Sequence, residues 1–309
     1  MKFPRRHRFK RAPTSAPIQL TERDKTILRH VHRHRFLRSS HITALIGCDS
    51  PHLLRRLQWM YHHGYLERPR AQLDYFHKGG SRHMVYGLGS KGAAVLRAEM
   101  GGDSIHVRWN EKNRSVGRMF LDHALLVSDV MVTLELTCRQ RGIRLVSEQE
   151  LAPMTGSKRK AFRWTVNLNN KVKLGVIPDR VFALENPGHN GTSERAFFFL
   201  AVDRGTMPVT RRSLSQTSIH RKLLAYEATW SQAIHQRQFG FHRFRVLTVT
   251  SSAARLKSII ESCSQLERGH GLFLFADRSI LTKDIFSDWQ TARAGEMGSL
   301  TPLENQMSH

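Results

Sequence analysis

The stretch DSPHLLRRLQWMYHHG, residues 49–64, decides the fold, because it predicts a short helix with one apolar and one basic face. Asp49 or Ser50 can cap this helix, and Pro51 suits its first turn, where a missing N–H costs nothing. At about 100° per residue, the apolar side carries Leu53, Leu54, Leu57, Met60 and Tyr61. The other side carries His52, Arg55, Trp59 and His62, with Arg56 and His63 at its flank. The alternative for such a run is a surface helix whose charges simply face solvent.

Two helices are predicted before this stretch and a β-hairpin after it. The first helix begins after Thr21, with Asp24 as its capping partner, and ends near Arg35. The second helix ends at Gly47. The segments predicted next are two strands, YLERPRAQL (65–73) and HMVYGLG (83–89), and a helix from Ser90.

Three helices followed by a hairpin is the order of a winged helix-turn-helix, in which the third helix enters the major groove of duplex DNA. We therefore expect residues 18–102 to form such a domain. Arginine and lysine would neutralise phosphates, whereas Arg55, Arg56 or His52 can reach base edges. The expected DNA contacts are His52, Arg55, Arg56, Trp59, Lys78, Arg82, Arg5, Arg6 and Arg8.

The charge balance favours a polyanionic partner. The 309 residues include 49 Lys or Arg and 25 Asp or Glu, a net charge of +24. Sixteen of these cations and four of these acids lie within residues 1–70, so half of the surplus lies in that segment. Residues 1–17 hold no acid and are expected to form a disordered basic arm. The partner most consistent with this surplus is double-stranded DNA.

The sequence argues against a membrane or secreted protein. It has no run of 18 apolar residues, and its start, MKFPRRHRFKR, has no apolar stretch after the charges. Cys48, Cys138 and Cys263 are scattered without a CxxC pair, which favours neither a disulfide framework nor a cysteine zinc site. We expect a cytoplasmic protein with reduced thiols.

The rest of the chain predicts an α/β domain. Residues 103–120 have little periodicity and are expected to be a linker, 121–283 to form the domain, and 284–309 to be a loose tail. The alternation of elements predicts a mixed sheet covered by helices. The predicted helices are 121–140, 218–236 and 252–267, and the predicted strands are 143–151, 174–184, 195–206, 244–250 and 272–279.

Two carboxylates on neighbouring predicted strands carry the candidate chemistry. In restriction-nuclease-like folds, an acid after Pro on one strand and an acid-x-Lys triplet on the next hold Mg²⁺, which activates water beside a scissile phosphate. Asp179 fits the first position, but the triplet has Ala201 where the acid belongs and Asp203 where the lysine belongs. Arg204 cannot act as the base, because it stays protonated.

Asp179 and Asp203 are therefore candidate ligands of Mg²⁺, the one cofactor that the pattern suggests. Glu148 or Glu150 on the preceding predicted strand can contribute a further oxygen. The alternative is that both aspartates are buried acids paired with neighbouring arginines.

Several short motifs in a fixed order resemble the replication-relaxation family of plasmids and other mobile elements. The resemblance implies an N-terminal winged helix, a C-terminal domain similar to restriction-endonuclease-like folds, and a role in plasmid replication, copy-number control or mobilisation. It covers roughly residues 18–250 through LTERDKTILRHVHRHRFLRSSHI, RRLQWMYHHGYLERP, VYGLGSKGAAVL, IPDRVFAL, LAVDRGT and KLLAY.

The same resemblance assigns positions in the second half of the chain. Asp179, Asp203, Lys222 and Tyr226 match motif positions, so Lys222 joins the two aspartates as an implied catalytic residue. The family usually has Glu where this chain has Ala201, which argues against cleavage. The implied protein partners are plasmid replication or relaxase proteins.

Two functions from different classes stay open. The favoured one is a sequence-selective DNA-binding protein of a plasmid or integrative element with a degenerate nuclease-like domain. The alternative is a Mg²⁺-dependent DNA nuclease or nickase that uses Asp179 and Asp203. A polybasic RNA binder is disfavoured, because the sequence contains no RNP motif.

Overall fold

A computed structural model gives the fold of the chain. It describes residues 8–12, 17–48, 51–73, 83–100, 113–152, 162–168, 172–186, 194–293 and 295–300. The chain forms two compact units, Met1–Val132 and Thr133–His309.

The first unit surrounds a small antiparallel sheet with helices. The predicted helices are confirmed, whereas β1 was not predicted, because three residues between two helices are too few to show alternation. The helices are α1 (Glu22–His34), α2 (Ser39–Ile46), α3 (Pro51–His62), α4 (Ser90–Met100) and the first half of α5 (Arg118–Arg141). The strands are β1 (Phe36–Arg38), β2 (Leu66–Glu67) and β3 (Val85–Leu88), paired in the order β1-β3-β2.

The strand predicted over residues 65–73 is wrong beyond Glu67. Pro69 has no N–H to donate to a sheet, and a turn of 3₁₀ helix, Arg70–Gln72, follows it. The side-chain amide of Gln72 accepts from the N–H of Val85 at 2.8 Å and donates to its carbonyl at 3.0 Å. The buried side chain of Gln72 therefore pairs with the backbone of β3 in place of the expected strand.

A buried ion pair joins α1 to α3. Thr21 and Asp24 form a capping box at the start of α1, in which the Thr21 N–H donates to Asp24 Oδ2 at 2.7 Å. Arg56 donates to both carboxylate oxygens of Asp24, from Nε at 3.0 Å and from Nη2 at 2.6 Å. Burial acts to raise the pKa of Asp24, but the hydrogen bonds from Arg56 and Thr21 outweigh it and hold the pKa below its ordinary value. The pair therefore fixes α3 against α1 through two charge-assisted hydrogen bonds.

The inner face of α3 agrees with the prediction except near its ends. Leu53, Leu57 and Met60 have no exposed surface. Leu54, predicted to be buried, is 47% exposed, because it lies at the edge of the apolar arc. His62, predicted to point outward, is buried, because the chain before α1 covers it and the N–H of Ala12 donates to its Nδ1 at 3.0 Å.

The prediction of a disordered arm is wrong for residues 8–12, which pack on the first unit. Arg11 Nη2 donates to Glu67 Oε2 at 2.8 Å, and Arg68 Nη1 donates to the backbone oxygen of Arg8 at 2.6 Å. The Glu67 side chain is only 4% exposed, so its charge requires a cation nearby, which Arg11 supplies.

The first half of α5 belongs to the first unit, although the sequence predicts that the second domain begins at residue 121. Leu121 and Leu125 pack against Phe36 and Val85. The boundary between the units follows Val132, inside a continuous helix where no change in composition marks it.

The second unit contains the expected mixed sheet, so the α/β class is confirmed. In the described residues the sheet has seven strands in the order β12-β11-β10-β9-β8-β7-β4, of which β8, β9 and β10 are parallel. β5 and β6 form a separate hairpin. The strands are β4 (Arg144–Val146), β5 (Trp164–Leu168), β6 (Val172–Val176), β7 (Arg180–Asn186), β8 (Glu194–Val202), β9 (Phe244–Thr250), β10 (Phe273–Asp277), β11 (Trp289–Gln290) and β12 (Met297–Gly298). The helices are α6 (Glu148–Leu151), α7 (Ile219–Ser231), α8 (Ile234–Phe239) and α9 (Ala253–Ser264).

Both faces of the interior strand β8 are covered. Successive side chains of a strand point to opposite faces. Phe198 stacks on Phe182 at 5.2 Å between ring centroids, whereas Phe199 stacks on Tyr226 of α7 at 5.9 Å. This double burial explains why the sequence of β8 is a continuous apolar run rather than an alternating one.

Two predicted elements are interrupted. The strand predicted over 174–184 ends at Val176 and resumes at Arg180, because Pro178 between them cannot donate to a ladder. The helix predicted over 218–236 ends at Ser231, and Ala233 has a φ of +52° before α8. Alanine does not ordinarily mark such a break, so the apolar pattern gives no warning of it.

The strand predicted over 143–151 is half helical. β4 ends at Val146, and Ser147 and Glu150 then form a capping box that begins α6. The spacing S-x-x-E is the signal that the sequence offers for this helix.

The expectation of a loose tail from residue 284 is wrong for residues 284–293 and 295–300. Trp289 has no exposed surface, and Ile285 has almost none. β11 pairs with β10 and extends the sheet. A short segment held by a few large apolar side chains need not show any periodicity, which is why the prediction fails.

Arg56→Ala should lower the free energy of unfolding by about 3 kcal/mol, because it leaves the buried carboxylate of Asp24 without its cation. Urea unfolding of the purified protein measures the effect. The neighbouring Arg55→Ala is the matched control and should change stability by less than about 0.5 kcal/mol. Equal losses in the two variants would contradict the structural role of Arg56.

Candidate functional site

The outer face of α3 presents cationic and aromatic side chains. His52 and Arg55 are exposed, and Trp59 is 41% exposed. The Trp59 ring stacks on His63 at 5.8 Å between centroids, with 17° between the ring planes. Arg55 makes no hydrogen bond or ion pair with any described residue. The outer face therefore combines the Trp59 indole, which His63 restrains, with the Arg55 guanidinium, which is available to a ligand.

Of the other expected DNA contacts, one faces the protein, one is exposed, and four lie outside the described residues. Arg56 is bound to Asp24 and to the backbone oxygen of Gln19 at 2.6 Å, so its donors face the protein. Arg8 is exposed. The predicted contacts outside the described residues are Lys78, Arg82, Arg5 and Arg6.

The strands that carry the two candidate aspartates lie side by side. β7 and β8 are antiparallel with Arg180 opposite Leu200, and Asp179 directly precedes this pair at the end of β8. The N–H of Asp179 donates to the Leu200 carbonyl at 2.9 Å. Asp179 Oδ2 accepts from the N–H of Val202, whereas Ala201 and Asp203 on either side of Val202 line one small cavity.

Asp203 is buried and neutralised within the second unit. Its carboxylate accepts from Arg255 Nε at 2.9 Å, Thr250 Oγ1 at 2.8 Å and the N–H of Gly205 at 3.1 Å. Burial acts to raise the pKa of Asp203, but these hydrogen bonds outweigh it and lower the pKa. The arginine that pairs with this buried acid is Arg255, not the sequence neighbour Arg204.

Sequence reasoning did not identify Arg255 or Thr250. No local spacing links them to Asp203, which precedes Arg255 by 52 residues. A signal exists only in the topology: β8 and β9 are parallel, so their carboxyl ends and the start of α9 meet at one edge of the sheet.

A small cavity lies beside Ala201. It has a volume of about 20 Å³, and its lining includes Asp203, Lys222, Tyr226 and Thr248. This is room for about one water molecule. Burial raises the pKa of Tyr226 far above its ordinary value, and the charge of Asp179 adds to the effect. The residues that the resemblance assigned therefore converge around the position where this chain has alanine.

The two glutamates proposed as further ligands have other roles. Glu150 accepts from the N–H of Ser147 at 2.9 Å and from Arg144 at 2.6 Å. Burial raises the pKa of Glu148, and the positive charge of Arg180 opposes that rise. Glu150 thus serves the helix cap, and Glu148 faces an arginine.

The residues present do not fit the expected Mg²⁺ site. In the described part of the second unit, no three His, Cys, Asp or Glu side chains bring their ligand atoms together. Asp179 Oδ2 already accepts from the N–H of Val202 at 2.7 Å, and Asp203 is bound to Arg255. Magnesium requires several oxygen ligands in near-octahedral geometry, which this arrangement does not offer.

Comparison with known families decides the relationship of the chain. A family model described as replication-relaxation matches residues 28–243, more than two thirds of the chain. The chain belongs to the replication-relaxation family. Membership associates it with the replication or relaxation of plasmid or other mobile-element DNA. No curated protein and no solved structure matches this member of the replication-relaxation family.

Asp203→Asn should lower the free energy of unfolding at neutral pH by about 3 kcal/mol, because Arg255 loses its counter-ion in a buried site. The folded-state pKa of Asp203 is lowered, so the stabilisation from its charge is fully present above the ordinary value of 3.8 and is lost as the pH falls through the lower folded-state value. Urea unfolding at several pH values should therefore show the wild-type advantage narrowing below pH 3.8. An advantage that stays constant with pH would contradict the charged pair.

Proposed function

We propose that this protein binds double-stranded DNA through its first unit and acts in the replication, copy-number control or mobilisation of a plasmid or integrative element. Family membership supports the biological setting. The geometry of the first unit supports the mode of binding.

The order of elements in the first unit supports a winged helix-turn-helix. α1, β1, α2, α3, β2 and β3 follow one another, and the strands pair as β1-β3-β2. α2 ends at Gly47, whose φ of +69° is the left-handed conformation that ends a helix and redirects the chain. In such domains the helix after this turn enters the major groove, which assigns that role to α3.

The two faces of α3 carry the proposal. The inner face is fully buried at Leu53, Leu57 and Met60, so the helix is held by the core of the first unit. The outer face leaves Arg55 without a described partner and Trp59 partly exposed. A guanidinium on a helix fixed in this way can bind the O6 and N7 acceptors of guanine or a phosphate.

We assign to the second unit a restriction-endonuclease-like fold with a degenerate site. In support, Asp179 Oδ2 accepts from the N–H of Val202 at 2.7 Å, so Asp179 lies next to position 201, where an acid of such a site would lie. Ala201 brings no ligand to that position, and Arg255 neutralises Asp203. The second unit therefore has the strands of a nuclease site but lacks the free carboxylates that would bind its metal.

The proposed partners follow from the outer face of α3 and from family membership. They are double-stranded DNA and the plasmid replication or relaxase proteins that act with it, in the cytoplasm. Across the described residues, no helix has both the length and the apolar composition needed to cross a bilayer.

Arg55→Ala should weaken binding to duplex DNA from the protein's own replicon about 5-fold to 100-fold, because it removes one base or phosphate contact of α3. Fluorescence anisotropy at several salt concentrations measures both the affinity and its salt dependence. Arg55→Lys keeps the charge but not the bidentate geometry, so it separates phosphate contact from base recognition.

The matched control for Arg55→Ala is Arg278→Ala. Arg278 is an exposed arginine of the second unit, and its removal changes the net charge equally. It should leave duplex affinity unchanged. If Arg55→Ala binds as tightly as Arg278→Ala, α3 does not contact DNA through this residue and the proposed orientation is wrong.

The alternative function is a Mg²⁺-dependent nuclease or nickase, and one observation favours it: the carboxylate of Asp179 contacts Val202, which lies between position 201 and Asp203. We nevertheless expect the wild-type protein to leave supercoiled plasmid intact in Mg²⁺ or Mn²⁺, because position 201 supplies no ligand. Cleavage by the wild type that Asp179→Ala abolishes would establish the nuclease instead.

A gain-of-charge variant tests the same site without relying on cleavage. Ala201→Glu adds a carboxylate near Asp179 and should raise the affinity for Mn²⁺, measured by calorimetry. Ala201→Gln has the same shape without the charge and is the control. Equal Mn²⁺ binding by the two variants would show that position 201 does not belong to a metal site.

A further inference from the structure

A basic cleft lies at the other end of the sheet from Asp203. It has a volume of about 520 Å³ and opens at the amino-terminal ends of the parallel strands β8, β9 and β10. Its floor is apolar and includes the buried side chains of Phe197, Phe244 and Leu272. We call it the Trp230 cleft, after the residue at its rim.

Three side chains at the rim are available to a ligand. Trp230, in the last turn of α7, is 41% exposed. His242 and Arg243 are exposed just before β9. None of the three side chains makes a hydrogen bond, ion pair or ring contact with another described residue. An indole left in water beside such a cation costs free energy that a stacked ligand would recover.

The charge of the Trp230 cleft favours an anion. Arg195, Arg243 and Arg245 line it, against one acid, Glu194. Arg195 is bound to Glu185 at 2.6 Å. Arg245 is partly buried and donates to a backbone oxygen at 2.5 Å. Arg243 is thus the arginine of the cleft whose donors are left for a ligand.

A larger cavity of about 890 Å³ in the same unit has the opposite character. It lies between α9 and β10, and its charged lining is Lys257, Lys283, Glu261, Asp277 and Asp288. Three acids against two lysines do not attract a polyanion. Size alone therefore does not select the nucleic-acid site, whereas charge and an exposed aromatic ring do.

We propose that the Trp230 cleft binds single-stranded DNA, with the indole of Trp230 stacked on an unpaired base and Arg243 bound to an adjacent phosphate. Aromatic stacking beside a basic groove is the recurring chemistry of single-strand binding. In a duplex both faces of every base are covered by neighbouring pairs, so only an unpaired base offers a face to the indole. The inference rests on the proposed function, because it takes DNA as the polymer on which the chain acts.

The Trp230 cleft is separate from the candidate metal site. β8 runs from Glu194 at the cleft to Val202 beside Asp203. A strand of this length spans about 26 Å at roughly 3.3 Å per residue. A base held at Trp230 would therefore not reach Asp203, and single-strand binding does not require the degenerate site to act.

The test uses the full chain, a fluorescent oligothymidine and, separately, a fluorescent duplex, with binding followed by anisotropy. Trp230→Ala should weaken oligothymidine binding about 5-fold to 100-fold, the range expected for losing one stacked base. Trp230→Phe keeps a ring and should lose less. Arg243→Ala should weaken binding and reduce the slope of log affinity against log salt by about 0.7, the value for one phosphate on a single strand.

Arg278→Ala is the matched control, since it removes an exposed arginine at the opposite end of β10. Oligothymidine affinity that is the same in Trp230→Ala, Trp230→Phe, Arg243→Ala and Arg278→Ala would overturn the proposal. Thymidine monophosphate that competes as strongly as the oligonucleotide would overturn the assignment to a strand. Circular dichroism shows that each variant is folded before its affinity is compared.

The two DNA proposals fail separately. Arg55→Ala should weaken duplex binding and spare oligothymidine, whereas Trp230→Ala should do the reverse. Photo-cross-linking with an iododeoxyuridine oligonucleotide locates the strand without any substitution. Cross-linked peptides that contain Trp230 or Arg243 support the cleft, and cross-links confined to residues 1–132 would overturn it.

Discussion

The ion pair between Asp24 and Arg56 is the contact on which the arrangement of the first unit depends. It joins the capped start of α1 to the middle of α3, and the carboxylate is fully buried where the two helices meet. Of two adjacent arginines, one is thus fixed by the fold and the other, Arg55, is left facing outward. The role that we propose for α3 needs both properties, because a side chain can read a base edge only if its helix is held at a defined angle.

The second unit uses the same chemistry at the carboxyl ends of its parallel strands. Arg255 of α9 neutralises Asp203, just as Arg56 neutralises Asp24. In both places a buried acid is explained by an arginine that is distant in the sequence rather than by a ligand. The net charge of +24 therefore overstates the positive surface, because Arg11, Arg56 and Arg255 are occupied by buried or nearly buried carboxylates. The outer face of α3 and the Trp230 cleft differ from these places, because each has an exposed indole and an arginine that is not paired with a carboxylate in the described residues.

The sequence predicted the parts of the fold that rest on local signals. Thr21 with Asp24 marks the start of α1 and Gly47 the end of α2, and both signals act within a few residues of the helix end. The sequence assigned both Arg55 and Arg56 to DNA contact. The ion pair that turns Arg56 toward the protein involves Asp24, 32 residues earlier, and leaves no local signal. The partner of Asp203 was missed for the same reason, and the break at Ala233 was missed because its left-handed backbone has no residue signature. The pairing of these acids with distant arginines depends on contacts between elements, which the hydrophobic periodicity of a single element does not predict.

The ion pair between Arg11 and Glu67 shows that the first unit includes residues before its first helix. The first helix of the unit begins at Glu22, yet the cation that compensates the nearly buried Glu67 comes from the segment before it. A fragment excised at the start of α1 would retain that carboxylate with its compensating charge cut away. A stable fragment of the first unit therefore has to include residues 8–12, even though these residues form no helix or strand.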